Sequence, residues 1–143
     1  DNSFGIIDWK GNVIVPFDYA NLTALDDRDV NNPWLIVKNK FSDDSYLMNL
    51  QAEKKLENSS YSDFDILPDG NIKVTKNGES GVVTLENQIL MDFRNYQDIY
   101  VYKNQGIVYI YSIQNDSDET KTLTIYDNNY KVTKTINQIK EYS

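Results

Sequence analysis

The chain has no cysteine and no histidine. Without cysteine there is neither a disulfide framework nor thiolate chemistry, and the redox compartment is left open. Without histidine, the usual general base near neutral pH and the commonest metal ligand are both missing. Positive charge is scarce as well: 14 basic side chains stand against 22 acidic ones, a net charge of −8. That surplus repels phosphate backbones and anionic bilayers, so no nucleic-acid partner is expected. No apolar run approaches the roughly 18 residues of a spanning helix, so no membrane insertion is expected either. No secretory leader is recognisable, and Asp1-Asn2-Ser3 reads as a mature or trimmed end.

What the chain does have is apolar content and tyrosine. Its 143 residues are 40% apolar, enough for one domain with its own core. Eleven tyrosines, with much Val, Ile and Thr, favour strands.

The strands recur. Tyr19-Ala20-Asn21-Leu22, Tyr61-Ser62-Asp63-Phe64 and Tyr96-Gln97-Asp98-Ile99 share the form Tyr-x-x-apolar. Before each comes an apolar strand (Gly5 to Asp8, Tyr46 to Asn49, Gly81 to Thr84), a polar turn and a second strand. After each comes a closing strand, at Pro33 to Val37, Asn71 to Val74 and Ile107 to Tyr111. A fourth unit opens at Leu123 to Tyr126 and stops after Ile139. Recurrence at this length is the sign of a repeat architecture built from one supersecondary unit. The expected fold is all-β: antiparallel β-meander repeats, propeller-like or a curved stack, with about four units at 1–39, 40–77, 78–113 and 114–143 in a single domain. The segment from Leu47 to Leu56 is rich in helix formers. Its alignment with the sister units nevertheless assigns it to a hairpin. The first unit begins partway through, so the natural polypeptide is expected to extend upstream.

The stretch Gly5-Ile6-Ile7-Asp8-Trp9-Lys10-Gly11-Asn12-Val13-Ile14-Val15-Pro16-Phe17-Asp18-Tyr19 resembles the WG-repeat family. Units of that family run Trp-Gly-aromatic-Ile-Asp, a Lys/Gly turn, an apolar strand ending in Pro, then Tyr-Asp. The third unit keeps the approach Asn77-Gly78-Glu79-Ser80-Gly81. The family's tryptophan is Phe4 in the first unit and Ser80 in the third, and Tyr46 stands where the second unit would have glycine. The resemblance implies an all-β repeat found mostly in bacterial proteins, many of them exported. It implies a scaffold or interaction module, and supplies no catalytic residue.

One hairpin concentrates the aromatic content. With Lys103 to Gly106 as a four-residue loop, Tyr102 faces Ile107, Val101 faces Val108, Tyr100 faces Tyr109 and Ile99 faces Ile110. Side chains alternate along a strand. One face therefore carries Ile99, Val101, Val108 and Ile110, expected as core. The other carries Tyr100, Tyr102, Tyr109 and Tyr111 with Ile107. This tyrosine face either packs against the neighbouring repeat or is an exposed platform that binds a carbohydrate or a protein.

Other chemistry is thin. Asp63 to Asn71 has an EF-hand-like look, but Leu67 takes the place of the third ligand and no closing glutamate follows. Pro68-Asp69-Gly70-Asn71 reads as a tight turn, so no metal or cofactor is expected. The acidic stretches 26–29, 43–44 and 116–119 read as solvated connections. Asn21-Leu22-Thr23, Asn58-Ser59-Ser60 and Asn115-Asp116-Ser117 fit the glycosylation sequon, a pattern frequent by chance in such a chain. Serines lack a histidine to activate them, and no spacing singles out two carboxylates for glycoside cleavage. The expected function is a non-catalytic, extracytoplasmic interaction module that binds a protein or a glycan. Its rivals are a structural spacer in a larger surface protein and a carboxylate-dependent hydrolase.

Overall fold

Turn chemistry sets the plan of the molecule. The computed structural model describes residues 2–25, 31–116 and 119–140, and every regular element among them is a strand. Strands β1 (Phe4–Ile7), β2 (Val13–Ala24), β3 (Leu35–Asn39), β4 (Ser45–Met48) and β5 (Lys54–Lys55) form a first sheet. Strands β6 (Ser62–Ile66), β7 (Ile72–Lys76), β8 (Glu79–Val83) and β9 (Ile89–Arg94) form a second. Strands β10 (Tyr96–Asn104), β11 (Ile107–Asn115), β12 (Thr120–Tyr126) and β13 (Val132–Lys140) form a third. In each sheet the strands lie in chain order and every neighbour is antiparallel, an open meander with two edges.

Four hairpins, β1–β2, β4–β5, β8–β9 and β12–β13, turn on one and the same loop. Its first residue is Asp8, Asn49, Thr84 or Asp127. The amide of that residue donates to the carbonyl four positions on, and the amide three positions on donates back to its carbonyl. The side chain of the first residue then caps the loop. Asp8 Oδ1 accepts from the amides of Lys10 and Asn12, Asn49 Oδ1 from Gln51 and Glu53, and Asp127 Oδ1 from Asn129 and Lys131. Thr84 Oγ1 accepts from Gln88. The fourth position is left-handed in every copy: Gly11, Ala52, Asn87 and Tyr130, at φ 90°, 64°, 65° and 64°. These are the opening hairpins of the four units seen in the sequence. The Leu47–Leu56 segment is one of them, with strand on both sides of its turn rather than a helix.

Each later hairpin is laid beside the last strands of the unit before it, β8–β9 beside β7 and β12–β13 beside β11. The first hairpin has no such predecessor among the described residues. It joins the first sheet because β2 runs on: Val13 and Val15 pair with β1, while Asn21 to Ala24 pair with β3.

Two apolar clusters hold the sheets together, and a third packs the first hairpin onto β3 and β4 within the first sheet. We call the face turned toward the preceding strands upstream and the opposite one downstream. In the first sheet Leu35, Val37 and Met48, on the upstream face, pack with Ile6 and Val15 of the first hairpin. Ile72, Val74 and Val83 of the second sheet pack on Trp34, Ile36 and Leu47 of the first. Ile99, Ile110 and Tyr126 of the third pack on Leu67, Val82 and Met91 of the second. Burying one such Leu, Ile or Val side chain contributes about 1.5–3 kcal/mol.

The landmark tyrosines occupy matching places. Tyr19 donates to Met48 Sδ at 3.4 Å and Tyr61 to Asn87 Oδ1 at 2.6 Å. Tyr96 donates to the Asp92 carbonyl at 3.1 Å. Each thus reaches the opening hairpin within its own sheet or the strand just before it. Gly5 and Gly81 also match: a Cβ on Gly5 would lie 2.6 Å from the Val15 carbonyl and 2.9 Å from the Phe17 ring, and one on Gly81 would lie 3.0 Å from the Met91 carbonyl and 3.1 Å from the Phe93 ring.

Candidate functional site

The tyrosine face lies on the third sheet, and its register differs from the expected one. β10 and β11 are joined by two residues, Gln105 and Gly106, not four. Tyr102 pairs with Tyr109, Tyr100 with Tyr111 and Val101 with Ile110, while Lys103 and Asn104 pair with Val108 and Ile107 inside the ladder. Both loop residues have positive φ, 50° and 78°, as a two-residue primed turn requires; its twist matches that of the strands and lets the ladder run further. The pairing is offset from expectation by two residues. An even offset leaves every side chain on its expected face.

The aliphatic side is core: Ile99 and Ile110 are buried against the second sheet, with Val101 and Val108 packed beside them. The tyrosine side is open. Tyr100, Tyr102 and Tyr109 are 37%, 46% and 41% exposed, Ile107 is exposed, and Tyr111 is half-buried. The neighbouring repeat lies against the opposite face, so packing between repeats does not cover these rings among the described residues. Instead the rings cover one another. Tyr100 stacks on Tyr111 with centroids 4.6 Å apart, Tyr102 stacks on Tyr109 at 4.9 Å, and Tyr102 meets Tyr111 edge-on at 6.4 Å. Each such pair contributes about 0.5–1.5 kcal/mol beyond area burial. Beside them, Leu123 and Ile125 of β12 extend the face, and a groove of about 290 Å³ runs along Tyr102, Tyr109, Tyr111, Leu123 and Ile125. The Tyr100 hydroxyl donates to Asp98 Oδ2 at 2.9 Å, and this bond to a carboxylate holds the phenol above its ordinary range. The site is therefore apolar in its middle, with a polar rim of hydroxyls and Asp98.

A second cavity, of about 420 Å³, opens between the second and third sheets. Arg94, Tyr96, Gln114, Thr122, Thr124 and Tyr126 line it, and Asp92 is its single carboxylate. Ser112 is buried at its floor, with its hydroxyl 3.0 Å from that of Tyr126. Burial, reinforced by Tyr126, pushes the Tyr96 phenol up to about 12. Sequence reading missed this cavity. The signal lay in the alternation itself: Ser112 and Gln114 continue the Ile110 side of β11, and Thr122 and Thr124 continue the Tyr126 side of β12.

Pro68 to Asn71 forms the expected tight turn, with Gly70 at φ 89° and its amide donating to the Leu67 carbonyl. Asp69 does structural work there: its Oδ2 accepts the Tyr130 hydroxyl at 2.6 Å, tying the second sheet to the third. Asp44 accepts the Asn58 amide, and Asp116 accepts the Thr122 hydroxyl. The acidic stretch 26–29, and residues 117–118 of the stretch 116–119, lie outside the described residues. Among the described residues no three acidic side chains are grouped to hold a metal ion. Comparison with family models, with curated proteins and with solved structures finds no match to this chain.

Proposed function

We propose that this chain is a non-catalytic interaction module that docks a protein partner through the outer, tyrosine-bearing face of its third sheet. One observation carries the reading: a continuous apolar and aromatic face that no part of the described chain covers, rimmed by hydroxyls and a carboxylate. Tyrosine at the centre of a flat surface supplies large contact area at low entropic cost, which suits it to interface hot spots. A protein surface fits better than a sugar, because cross-strand stacking already occupies one side of each ring. The absence of histidine and cysteine, and a larger cavity lined by one carboxylate, favour binding over hydrolysis. The resemblance of residues 5–19 to the WG repeat favours a site outside the cytoplasm.

Retention of proteins from a cell-surface extract, compared with that by a Tyr100→Ala/Tyr109→Ala variant, tests the proposal alongside a glycan array. The expected outcome is a retained protein that the variant loses, with a blank array. Equal retention by both proteins, or a tyrosine-dependent array signal, overturns it.

A further inference from the structure

Two of the landmark tyrosines share their surroundings with an aromatic ring from the opening hairpin of the next unit. Tyr19 packs in the cluster that holds the buried ring of Tyr46. Tyr61 stacks on Phe93 with centroids 5.4 Å apart. Tyr46 and Gly81 hold one equivalent position, the third before the residues that open their turns, Asn49 and Thr84. In one hairpin the ring grows from that position. In the other it comes from the partner strand and lies over the glycine.

Tyr96 has no such ring. The equivalent position of the last hairpin is Thr124, and its cross-strand partner is Thr135. Ile136 has the place of Phe93 by count from the turn, but it pairs with Leu123 and is exposed. Among the described residues no ring stacks on Tyr96. The cavity of about 420 Å³ opens at this place, lined by Tyr96, Thr124 and Thr135. Its volume is that of a small-molecule site, roughly 300–1,000 Å³. The side chains of Gln114 and Thr124, which line it, make no hydrogen bond among the described residues. Asp92 and Arg94 of β9 line it too, both exposed, and neither belongs to an ion pair among the described residues.

We propose that this cavity binds a free aromatic amino acid, its ring against Tyr96 as Phe93 lies against Tyr61, its carboxylate on Arg94 and its ammonium on Asp92. A ring beside a phenol gains an offset or edge-on contact beyond the area it buries. The guanidinium offers a carboxylate a fork of two parallel donors. A ligand with one charge of each sign matches a site with one of each. It also escapes the repulsion that a net charge of −8 imposes on a simple anion. A neutral sugar would leave both charges unused. This site is separate from the tyrosine face of the third sheet, so the two readings stand or fall independently.

Isothermal titration calorimetry with L-phenylalanine and L-tyrosine tests this, with L-alanine lacking the ring and 3-phenylpropionate lacking the ammonium. Saturable binding of an aromatic amino acid is expected, with both comparison compounds weaker by about tenfold or more. Arg94→Gln and Asp92→Asn, at exposed positions and checked for folding by far-UV circular dichroism, are each expected to weaken binding by about tenfold or more. Tyr100→Ala/Tyr109→Ala is expected to bind as the wild type does. No saturable binding of either amino acid, or equal binding of L-alanine or 3-phenylpropionate, overturns the proposal. So does undiminished binding by either charge variant, or binding lost in Tyr100→Ala/Tyr109→Ala, which would place the ligand on the outer face.

Discussion

Tyr130 occupies a turn position where the backbone is left-handed, a conformation that costs a bulky residue about 1–2 kcal/mol. Its buried ring and its 2.6 Å bond to Asp69 offset that cost, for they join two sheets that share no strand. Tyr130→Phe keeps the ring and loses the bond to a carboxylate. Its expected effect is a loss of about 1.5–3 kcal/mol, read as a lower urea midpoint. The buried phenols also set the response to alkali. Burial raises Tyr46, Tyr61, Tyr96 and Tyr130 above their ordinary value, Tyr96 to about 12. Above about pH 10 the unfolded chain has released these protons while the folded chain keeps them. The unfolded state then binds fewer protons, so stability falls as pH rises from about 10 toward 12, and is fully present below. Thermal midpoints measured between pH 8 and 12 are expected to fall over that window, and less steeply in Tyr96→Phe. None of this is legible in the sequence, where Tyr130 is a polar-turn neighbour and Asp69 a turn residue.

The opening hairpins were legible where their chemistry is overt. Lys10-Gly11-Asn12 and Asp127-Asn128-Asn129 advertise turns because Gly and Asn tolerate positive φ and Asp caps backbone amides. The hairpin through Asn49 was legible only by alignment with its sisters, since its left-handed residue is Ala52 and its flanks favour helix. Ala52 is held there by the double acceptor Asn49. Ala52→Gly removes the Cβ from a left-handed site already fixed by hydrogen bonds. It is expected to stabilise the protein by about 0.5–1 kcal/mol, seen as a raised urea midpoint. The tyrosine hairpin shows the opposite limit. A four-residue loop and a two-residue loop give the same alternation, so pattern alone could not choose between them. The choice came from Gln105 accepting a left-handed backbone beside Gly106. The tyrosine face survived the error because only an odd offset exchanges faces.

At the scale of the whole molecule, one contact between sheets is made twice, and the outer face of the third sheet is left uncovered among the described residues. Alternation in the sequence shows that a strand such as Ile107 to Tyr111 has an apolar side on each face. It does not show which side a neighbour covers, because that depends on the order in which sheets stack. Leu47, Val82 and Ile125 occupy one position in three sheets but differ in what lies over them, buried in the first two and half-exposed in the third. The most direct measurement is therefore the urea midpoint of Leu47→Ser, Val82→Ser and Ile125→Ser at low protein concentration. The first two are expected to lose several kcal/mol, on the scale of about 2–5 for emptying a core site, and the third no more than about 0.5. An Ile125→Ser variant destabilised as much as Leu47→Ser would mean that the third sheet's outer face is already covered within the chain, and would contradict the account.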